Sequence, residues 1–527
     1  MLVILGLLLA CTPAPEKVAE PSPPTVGSSE GDTLVVGIPF DPGNANPLVI
    51  PYALSQMITD LVEPGLVWRT VGEDGLQFDS ALAESWSFDE TGTVLTYVLK
   101  PGLRWEDGRP LTASDVVFSW SLIADPAVAS NWHGDVQHIE KYTAIDDLTV
   151  AVTFRHPRNP VLQQARTVRG IVPEHVLVDV DHGTLRGHTS ARSPLASGPF
   201  RIGAWKADEK IVLESNPTAP PEWRPHLHRI TLLIQPEYSS RLLELEAGRL
   251  DMLADVEIAD LPRLAKNQRL RVHVERSAVM QYIGYNLTRP ELADIRVRKA
   301  LTLATDTDKL IADLLTADGQ VYGRPCVGTI SPEFAPWYAD DIERIPADAE
   351  AAKGLLDDVG WRPGKVHLTM MVQTGSPISR RIAVLTQAMW KGVGVELRID
   401  MVEPTRFSQR AREKDYQVIL WEFGASPNID PSIKWRSNGQ YNWFGLLDPE
   451  IDRLIDEGMA ATDVAVAQER FKEVQRRVYA AQPATFLFWK DRAVVIDRRF
   501  AGVEMNSYSD LAHAERWYVA EADRKYR

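Results

Sequence analysis

Hydrophobic and polar positions along the second half of the chain separate into apolar runs and amphipathic segments. The apolar runs at 365–373, 395–402 and 416–423 predict strands, and the amphipathic segments between them predict helices. A strand–helix–strand–helix–strand order with strands this apolar is typical of a parallel sheet covered on both faces. Ligands of such sheets bind beyond the carboxyl ends of the strands. The pattern therefore points to two loops, 373–377 and 423–432.

Strands and turns are the main prediction for the first half of the chain. Apolar and polar residues alternate over 93–100 and then stop at Pro101-Gly102, which predicts a strand followed by a turn. The segment 142–154 predicts a hairpin of two short strands. Thr112 stands three residues before Asp115, the spacing of a capping box, so a helix is predicted to begin there.

Helix signals return near the end of the chain. Asp448 followed by Pro449 predicts an N-cap and a first helical residue. A second helix is predicted to end before Pro483, and its apolar stripe consists of Ala467, Phe471, Val474 and Val478.

The two loops beyond the predicted parallel strands hold the candidate binding residues. Ser376 is predicted to cap a helix whose first amides are free for a polar or anionic ligand group. The other loop is followed by "KWRSNGQYNWFG", which places Trp435, Tyr441 and Trp443 among polar residues. Aromatic side chains in a polar loop favour an exposed, ligand-facing surface. Burial of each ring in the core is the equal alternative.

Composition narrows the classes of protein. The chain has 527 residues, enough for two or three domains, and it is 44% hydrophobic and 24% charged, as soluble globular proteins are. Its formal net charge of −15 argues against a nucleic-acid partner, because no basic stripe is present to displace counterions.

The first residues predict an anchor. Residues 1–11, "MLVILGLLLAC", form an apolar run too short to span a bilayer, and they resemble a bacterial lipoprotein signal peptide whose lipobox ends at Cys11. No Lys or Arg precedes the run, which departs from that pattern. Residues 12–31 are rich in Pro, Ser and Glu and predict a disordered tether. Lipidation of Cys11 would hold the protein on a membrane, and Cys326 is then left without an intrachain disulfide partner.

Common catalytic and metal motifs are missing from the sequence, which contains no CxxC, HExxH, P-loop or GxGxxG pattern. "GSSEG" at 27–31 matches G-x-S-x-G but lies in the tether, where a nucleophile elbow has no strand and helix to hold it. His226 and His228 lack a third ligand nearby, so neither a metal nor a cofactor is expected. A carboxylate pair for glycoside hydrolysis stays open.

Several segments in order resemble the bacterial extracellular solute-binding proteins of family 5, the peptide-binding subunits of ABC importers. They are "ALAESWSFDETGTVLTYVLKPGLRWEDGRPLTASDVVFSW" (81–120), "ASGPFRIGAWKADEKIVLESNP" (196–217), "LLELEAGRLDML" (242–253) and "YIGYNLTRPELADIRVRKALTLATDTDKL" (282–310). The resemblance covers residues 33 to about 490.

This resemblance implies an α/β, two-lobed periplasmic-binding-protein fold (type II, cluster C-like) with an extra inserted domain. The implied division is lobe I at 32–64, 192–284 and 490–527, the inserted domain at 65–191, and lobe II at 285–489. Hinges are then expected near Gly284-Tyr285-Asn286 and near Phe488-Trp489-Lys490.

The implied function is binding without catalysis. A monomeric lipoprotein in the periplasm or at the cell surface would capture a peptide or another small solute between closing lobes and deliver it to ABC permease and ATPase subunits. Loop position and resemblance together give these candidate ligand-binding residues: Tyr282, Tyr285, Asn286, Ser376, Trp421, Ser426, Asp430, Trp435, Tyr441 and Trp443.

One departure from the family concerns the ligand. Peptide-binding members have an aspartate for the peptide's α-amino group a few residues before an acidic-Pro pair, whereas Ser426 and Pro427 precede Asp430-Pro431 here. Either Asp430, Glu422 or another acid substitutes, or the ligand has no free amine, because an unpaired buried ammonium is costly. A blocked peptide, an oligosaccharide stacked on the tryptophans or a nickel-type ligand are alternatives. A surface-anchored hydrolase and a sensor without transport are competing functions.

Overall fold

The computed structural model of the protein describes residues 32–525 except 51–52, 73–74, 163–168, 363, 365, 425–428 and 507–508. The leader and tether predicted for residues 1–31, including the lipidation site Cys11, lie outside the described residues. Within the described ranges, no helix is both long enough and apolar enough to cross a membrane.

Residues 32–191 form one strand of the main sheet, a hairpin and a separate small sheet. The strands are β1 (Thr33–Ile38), β2 (Val67–Gly72), β3 (Gly75–Ser80), β4 (Ala83–Phe88), β5 (Val94–Leu99), β6 (Ile139–Ala144) and β7 (Thr149–Phe154). The helices are α1 (Ala53–Val62), α2 (Ala113–Ala124), α3 (His133–Val136) and α4 (Glu174–Leu177). The order β4-β5-β7-β6 makes a four-stranded antiparallel sheet. We call this sheet, the β2–β3 hairpin and α2–α4 the inserted domain.

Local sequence signals account for the inserted domain. The backbone N–H of Thr112 donates to Asp115 Oδ2 at 2.9 Å, and α2 begins at the next residue, which confirms the predicted helix start. The predicted hairpin forms as β6 and β7. The helix then covers the sheet with Trp120, whose ring centroid lies 6.2 Å from that of Tyr97 and 5.3 Å from that of Tyr142.

The remaining residues complete the main sheet and add helices around it. The strands are β8 (Phe200–Lys206), β9 (Lys210–Ser215), β10 (Arg229–Ile234), β11 (Met252–Leu253), β12 (Leu270–Tyr285), β13 (Thr316–Ala317), β14 (Gln320–Val321), β15 (Gly323–Pro325), β16 (Val366–Gln373), β17 (Val395–Val402), β18 (Val418–Gly424), β19 (Ala484–Asp497), β20 (Phe500–Ala501) and β21 (Tyr518–Val519). The helices are α5 (Tyr238–Glu246), α6 (Leu261–Ala265), α7 (Pro290–Ala293), α8 (Ile295–Leu303), α9 (Thr307–Leu314), α10 (Ala349–Asp358), α11 (Pro377–Gly392), α12 (Pro404–Arg412), α13 (Ser432–Trp435), α14 (Pro449–Ala460) and α15 (Val464–Ala481).

The main sheet has eleven strands in the order β17-β16-β18-β12-β19-β11-β1-β10-β9-β8, with β15 beside β19. Strand β16 is parallel to both β17 and β18, which confirms the predicted parallel unit. We call the end built on β1 and β8–β11 the first lobe, and the end built on β16–β18 with α7–α15 the second lobe. The long strands β12 and β19 pair with each other in both lobes.

Helix boundaries of the second lobe follow the predicted signals. Asp448 Oδ1 accepts the backbone N–H groups of Glu450 and Ile451 at 2.9 and 3.2 Å, so α14 begins where the sequence predicts. Helix α15 ends at Ala481, before Pro483, and its predicted apolar stripe is fully buried. The cap fixes where α14 begins, and the stripe packs α15 against the core of the second lobe.

The pairing of the two crossover strands is irregular at two places, between Glu275 and Val279 and between Gln281 and Tyr282. The β12–β19 register shifts between Glu275 and Val279, where Ser277 Oγ donates to the carbonyl of Lys490 at 2.7 Å. Gly284, by contrast, pairs with both neighbouring strands inside the second lobe, and Tyr285 pairs with Val418 of β18. The expected hinges at Gly284-Tyr285-Asn286 and at Phe488-Trp489-Lys490 both stay predictions.

Candidate ligand-binding site

A cavity of about 590 Å³ lies between the inserted domain and the second lobe. The inserted domain lines it with Trp132, Asp135, His138 and Arg169, and the second lobe lines it with Asp430, Arg436, Tyr441 and Asp456. This volume is in the range of small-molecule pockets. Its lining combines aromatic faces with charges of both signs.

The inserted-domain wall is built on Trp132. The indole Nε1 donates to the Pro47 carbonyl at 3.1 Å, which fixes the ring. The guanidinium carbon of Arg169 lies 3.5 Å from the indole ring centroid, and Nη2 lies 3.5 Å from Asp135 Oδ2. Burial lowers the pKa of Arg169 to about 10, and the Asp135 carboxylate opposes this shift. The guanidinium therefore stays charged at neutral pH and gives this wall a cationic, aromatic surface.

The second-lobe wall is the segment 430–441. Asp430 is buried, and its Oδ1 accepts the backbone N–H of Ser432 at 2.8 Å at the start of α13. Arg436 forms a two-bond ion pair with Asp456, at 2.6 and 2.7 Å. Tyr441 is 37% exposed. Two predicted residues, Asp430 and Tyr441, thus lie on one wall of the same cavity.

A second cavity of about 30 Å³ adjoins the first, because Asp430 and Ile433 line both. Lys434, Trp435 and Thr329 are among its other lining residues. Lys434 is 3% exposed, and its Nζ has no hydrogen-bond partner among the described residues. Burial holds the pKa of the Lys434 ammonium well below its ordinary value. Sequence reasoning missed Lys434, although a lysine between Ile433 and Trp435 is a signal of burial.

The tryptophans of this region are buried rather than displayed. Trp435 is 3% exposed and stacks on Phe444 with ring centroids 5.3 Å apart and planes 4° apart. Trp443 is 8% exposed and packs edge-on against Trp421, centroid to centroid 5.1 Å. The predicted exposed platform is therefore wrong for Trp435 and Trp443. Trp435 still lines the small cavity, whereas Trp421 and Trp443 belong to a core cluster around Phe407.

Of the three predicted residues on and after β12, one lies near the small cavity and two are structural. The Tyr282 ring lies 4.1 Å from Lys434 Nζ, at the small cavity. Tyr285 is fully buried, and its hydroxyl contacts Thr485 Oγ1 at 2.5 Å. Asn286 Nδ2 donates to two backbone carbonyls at 2.8 Å each. Neither Tyr285 nor Asn286 lines either cavity; both hold the end of β12 in place.

Ser376 caps α11 as predicted, accepting the backbone N–H of Ser379 at 3.3 Å. It lines neither cavity. Further along the same helix, Arg381 Nη2 lies 2.8 Å from Glu257 Oε2 of the first lobe, an ion pair between the lobes. Ser426, the remaining predicted residue, lies outside the described residues.

Among the described residues, no group of three or more His, Cys, Asp or Glu side chains is arranged to hold a metal ion. His226 instead packs edge-on against Tyr518, with centroids 6.1 Å apart, and its pKa is lowered by burial.

A family model and individual relatives both match this chain. Residues 77–444 match the model of "Bacterial extracellular solute-binding proteins, family 5 Middle". The oligopeptide-binding protein AppA of Bacillus subtilis is 24% identical over 99% of this chain and 98% of its own length. The probable D,D-dipeptide-binding periplasmic protein DdpA of Escherichia coli is 24% identical over 90% of this chain and 92% of its own length.

Solved structures show the same fold. The structure of Bacillus subtilis AppA in complex with a nonapeptide has a TM-score of 0.83 and 23% identity, covering 93% of this chain and 99% of that one. NikZ of Campylobacter jejuni in complex with Ni(L-His) has a TM-score of 0.81 and 18% identity at the same coverage. These likenesses confirm the two-lobed α/β fold. With its family model matched over most of its length, the chain belongs to the bacterial extracellular solute-binding proteins of family 5.

Proposed function

We propose that the protein is the substrate-binding subunit of an ABC importer and that it captures peptides, or closely related solutes, between its lobes. The observation that carries this proposal is the cavity of about 590 Å³ between the inserted domain and the second lobe. Its charges of both signs and its aromatic faces suit a ligand with amide, charged and apolar parts. Several relatives are named as peptide-binding proteins, which supports the same ligand class.

Binding in such a fold requires the lobes to move. We place the bend at Glu275–Val279 and the facing Lys490 region, where the long crossover strands lose register. The division expected from the sequence, with lobe I at 32–64, 192–284 and 490–527 around the inserted domain at 65–191, remains our proposal for the moving units. The Arg381–Glu257 pair, at 2.8 Å, would then favour the closed form.

Location and delivery complete the proposal. The family is extracellular or periplasmic by description, which supports a periplasmic or surface location. We propose that lipidation of Cys11 tethers the protein to a membrane, where permease and ATPase subunits receive the ligand. Monomeric binding suffices for this role, since both cavity walls come from one chain.

Asp430 is our choice for the ligand's amino group. It lines both cavities and is buried in the second-lobe wall, whereas Glu422 is exposed on β18. A carboxylate in a partly desolvated cavity attracts an ammonium more strongly than one in water. This assignment keeps ordinary peptides with a free amine ahead of blocked peptides and oligosaccharides.

A thermal-shift screen of the full-length protein tests the proposal. The panel holds free and N-acetylated tri- and tetrapeptides, oligosaccharides and nickel with histidine. A ligand at a hundred times its dissociation constant should add about 2.7 kcal/mol of stability. Tyr441→Ala should weaken the affinity of the best peptide about tenfold, and Leu447→Ala, a matched change at a residue 75% exposed, should leave it unchanged. A response to sugars or nickel alone, with none to peptides, would contradict peptide capture.

A further inference from the structure

We propose that Lys434 receives a carboxylate of the captured ligand, and that the cavity of about 30 Å³ is an anion-binding subsite of the larger cavity. This inference rests on the proposed function and names a group that the ligand must carry. It also assigns a specificity-determining role to a residue that the pattern of the sequence did not select.

Two of the residues that line this cavity carry a buried hydrogen-bond donor. Lys434 Nζ and Thr329 Oγ1 are both inaccessible to solvent, both lack a hydrogen-bond partner among the described residues, and both residues line the cavity. Buried polar groups are hydrogen-bonded in more than about 90% of cases. An acceptor for these two donors has to come from a group that enters the cavity, and a carboxylate offers one oxygen to each.

The surroundings of Lys434 are aromatic rather than acidic. Its Nζ lies 4.1 Å from the ring centroid of Tyr282, 4.0 Å from that of Phe423, 5.2 Å from that of Trp435 and 5.7 Å from that of Phe444. Ring faces hold a cation in position but accept no conventional hydrogen bond. The amine is therefore placed and desolvated, while its hydrogen-bonding capacity remains available to a ligand.

Three titratable groups beside the amine are a carboxyl, a thiol and a phenol. Asp430 lines the same cavity from the same loop, and its Oδ1 accepts the Ser432 N–H. Cys326 faces Lys434 from the segment after β15, and burial raises the pKa of its thiol to about 12, so it stays neutral. Tyr282 faces Lys434 from β12, and burial raises the pKa of its phenol well above the ordinary value. Neither the thiol nor the phenol is therefore an anionic partner of the amine at neutral pH.

The size of the subsite limits what enters it. A volume of about 30 Å³ admits a group of water-like dimensions, since one water needs roughly 10–15 Å³ by this measure. A carboxylate end fits this limit, whereas a whole side chain or a sugar ring does not. The rest of the ligand would lie in the adjoining cavity, which Asp430 and Ile433 connect to the subsite.

Calorimetric titration of the full-length protein with matched peptides tests the inference. The probes are tetraalanine with a free carboxylate or an amide end, and Ala-Glu-Ala with Ala-Gln-Ala. For wild-type protein, at least one acid-to-amide exchange should weaken binding tenfold or more, because it removes the anion that meets Lys434. In Lys434→Met this preference should shrink to within about twofold. Lys472→Met, which removes a lysine on the outer side of the same lobe, should keep the wild-type preference.

Thr329→Val provides a second variant that keeps the charge and the side-chain shape. It should reduce the preference for the carboxylate partly, since one of the two donors is lost. Equal binding of acid and amide probes by wild-type protein would overturn the inference but leave peptide capture intact. A preference that survives in both Lys434→Met and Thr329→Val would also overturn it. Absence of binding by every peptide would contradict the proposed function itself.

Discussion

Two buried basic side chains of the second lobe have almost equal exposure and opposite surroundings. Arg298 on α8 is 5% exposed and Lys434 is 3% exposed. The Arg298 guanidinium donates to four backbone carbonyls at 2.7–2.9 Å, those of Leu292, Ala293, Ala481 and Gln482. Lys434 Nζ donates to no acceptor among the described residues.

The difference indicates a structural role for Arg298 and a ligand-binding role for Lys434. Arg298 joins the end of α7 to the end of α15, where helices leave carbonyl groups without intrahelical partners. Its charge is compensated inside the protein, so its contribution is present with or without ligand. Lys434 costs stability in the free protein, because a desolvated amine without a hydrogen bond loses its hydration. Such a cost is typical of a group whose partner arrives with the ligand.

The largest effect on stability is expected from replacing the structural cation, Arg298. Arg298→Met should lower the free energy of unfolding by about 3 kcal/mol or more, because four buried carbonyls lose their donors. Lys434→Met should leave the free energy of unfolding unchanged or raise it, because it replaces an unpaired polar end with an apolar one of similar length. Urea unfolding of the two variants measures both values. A larger loss for Lys434→Met than for Arg298→Met would contradict the comparison.

An intermediate effect depends on pH. Burial holds the pKa of Lys434 below its unfolded value of about 10.4, so the unfolded chain binds more protons between those two values. Stability of the ligand-free protein should therefore rise with pH through this window, by up to about 1.4 kcal/mol per pH unit from this residue. The stability difference between Lys434→Met and wild-type protein, measured in urea at pH 7 and 9, should shrink at the higher pH. A constant difference would mean that Lys434 is not desolvated.

The smallest effect concerns an exposed cation beside the same loop. Arg436 forms a bidentate pair with Asp456, but its side chain is 32% exposed and that of Asp456 is 57% exposed. Surface ion pairs contribute about 0–1 kcal/mol. Arg436→Ala should accordingly change the free energy of unfolding by less than about 1 kcal/mol, with a further decrease in effect at high salt. A loss of stability as large as that of Arg298→Met would show that the ion pair, rather than the burial of the side chain, determines how much stability is lost.

The sequence predicted one loop of the candidate site, but it did not predict the wall that faces this loop. The loop beyond the parallel strands was predicted, and Asp430, Tyr441 and Trp435 do line the two cavities. The facing wall was not predicted, because Trp132 and Arg169 belong to the inserted domain, in which the sequence indicated no binding residue. Nothing in the spacing of either residue indicates that the second lobe lies opposite.

Local rules determined the elements of this protein from the sequence alone. The apolar runs predicted the parallel strands, and the caps at Thr112, Ser376 and Asp448 begin helices because each cap needs only neighbours within three residues. These signals survive folding because their hydrogen bonds close within a single turn.

Tertiary structure alone decided which side chains are buried and which face a ligand. Trp435 and Trp443 sit in a polar stretch of sequence, yet packing against Phe444 and Trp421 removes them from solvent. Lys434 becomes a desolvated amine only because Tyr282 of β12 and Phe423 of β18 enclose it. Contacts between segments so distant in the chain leave no periodic trace in the sequence, since they depend on how whole elements pack.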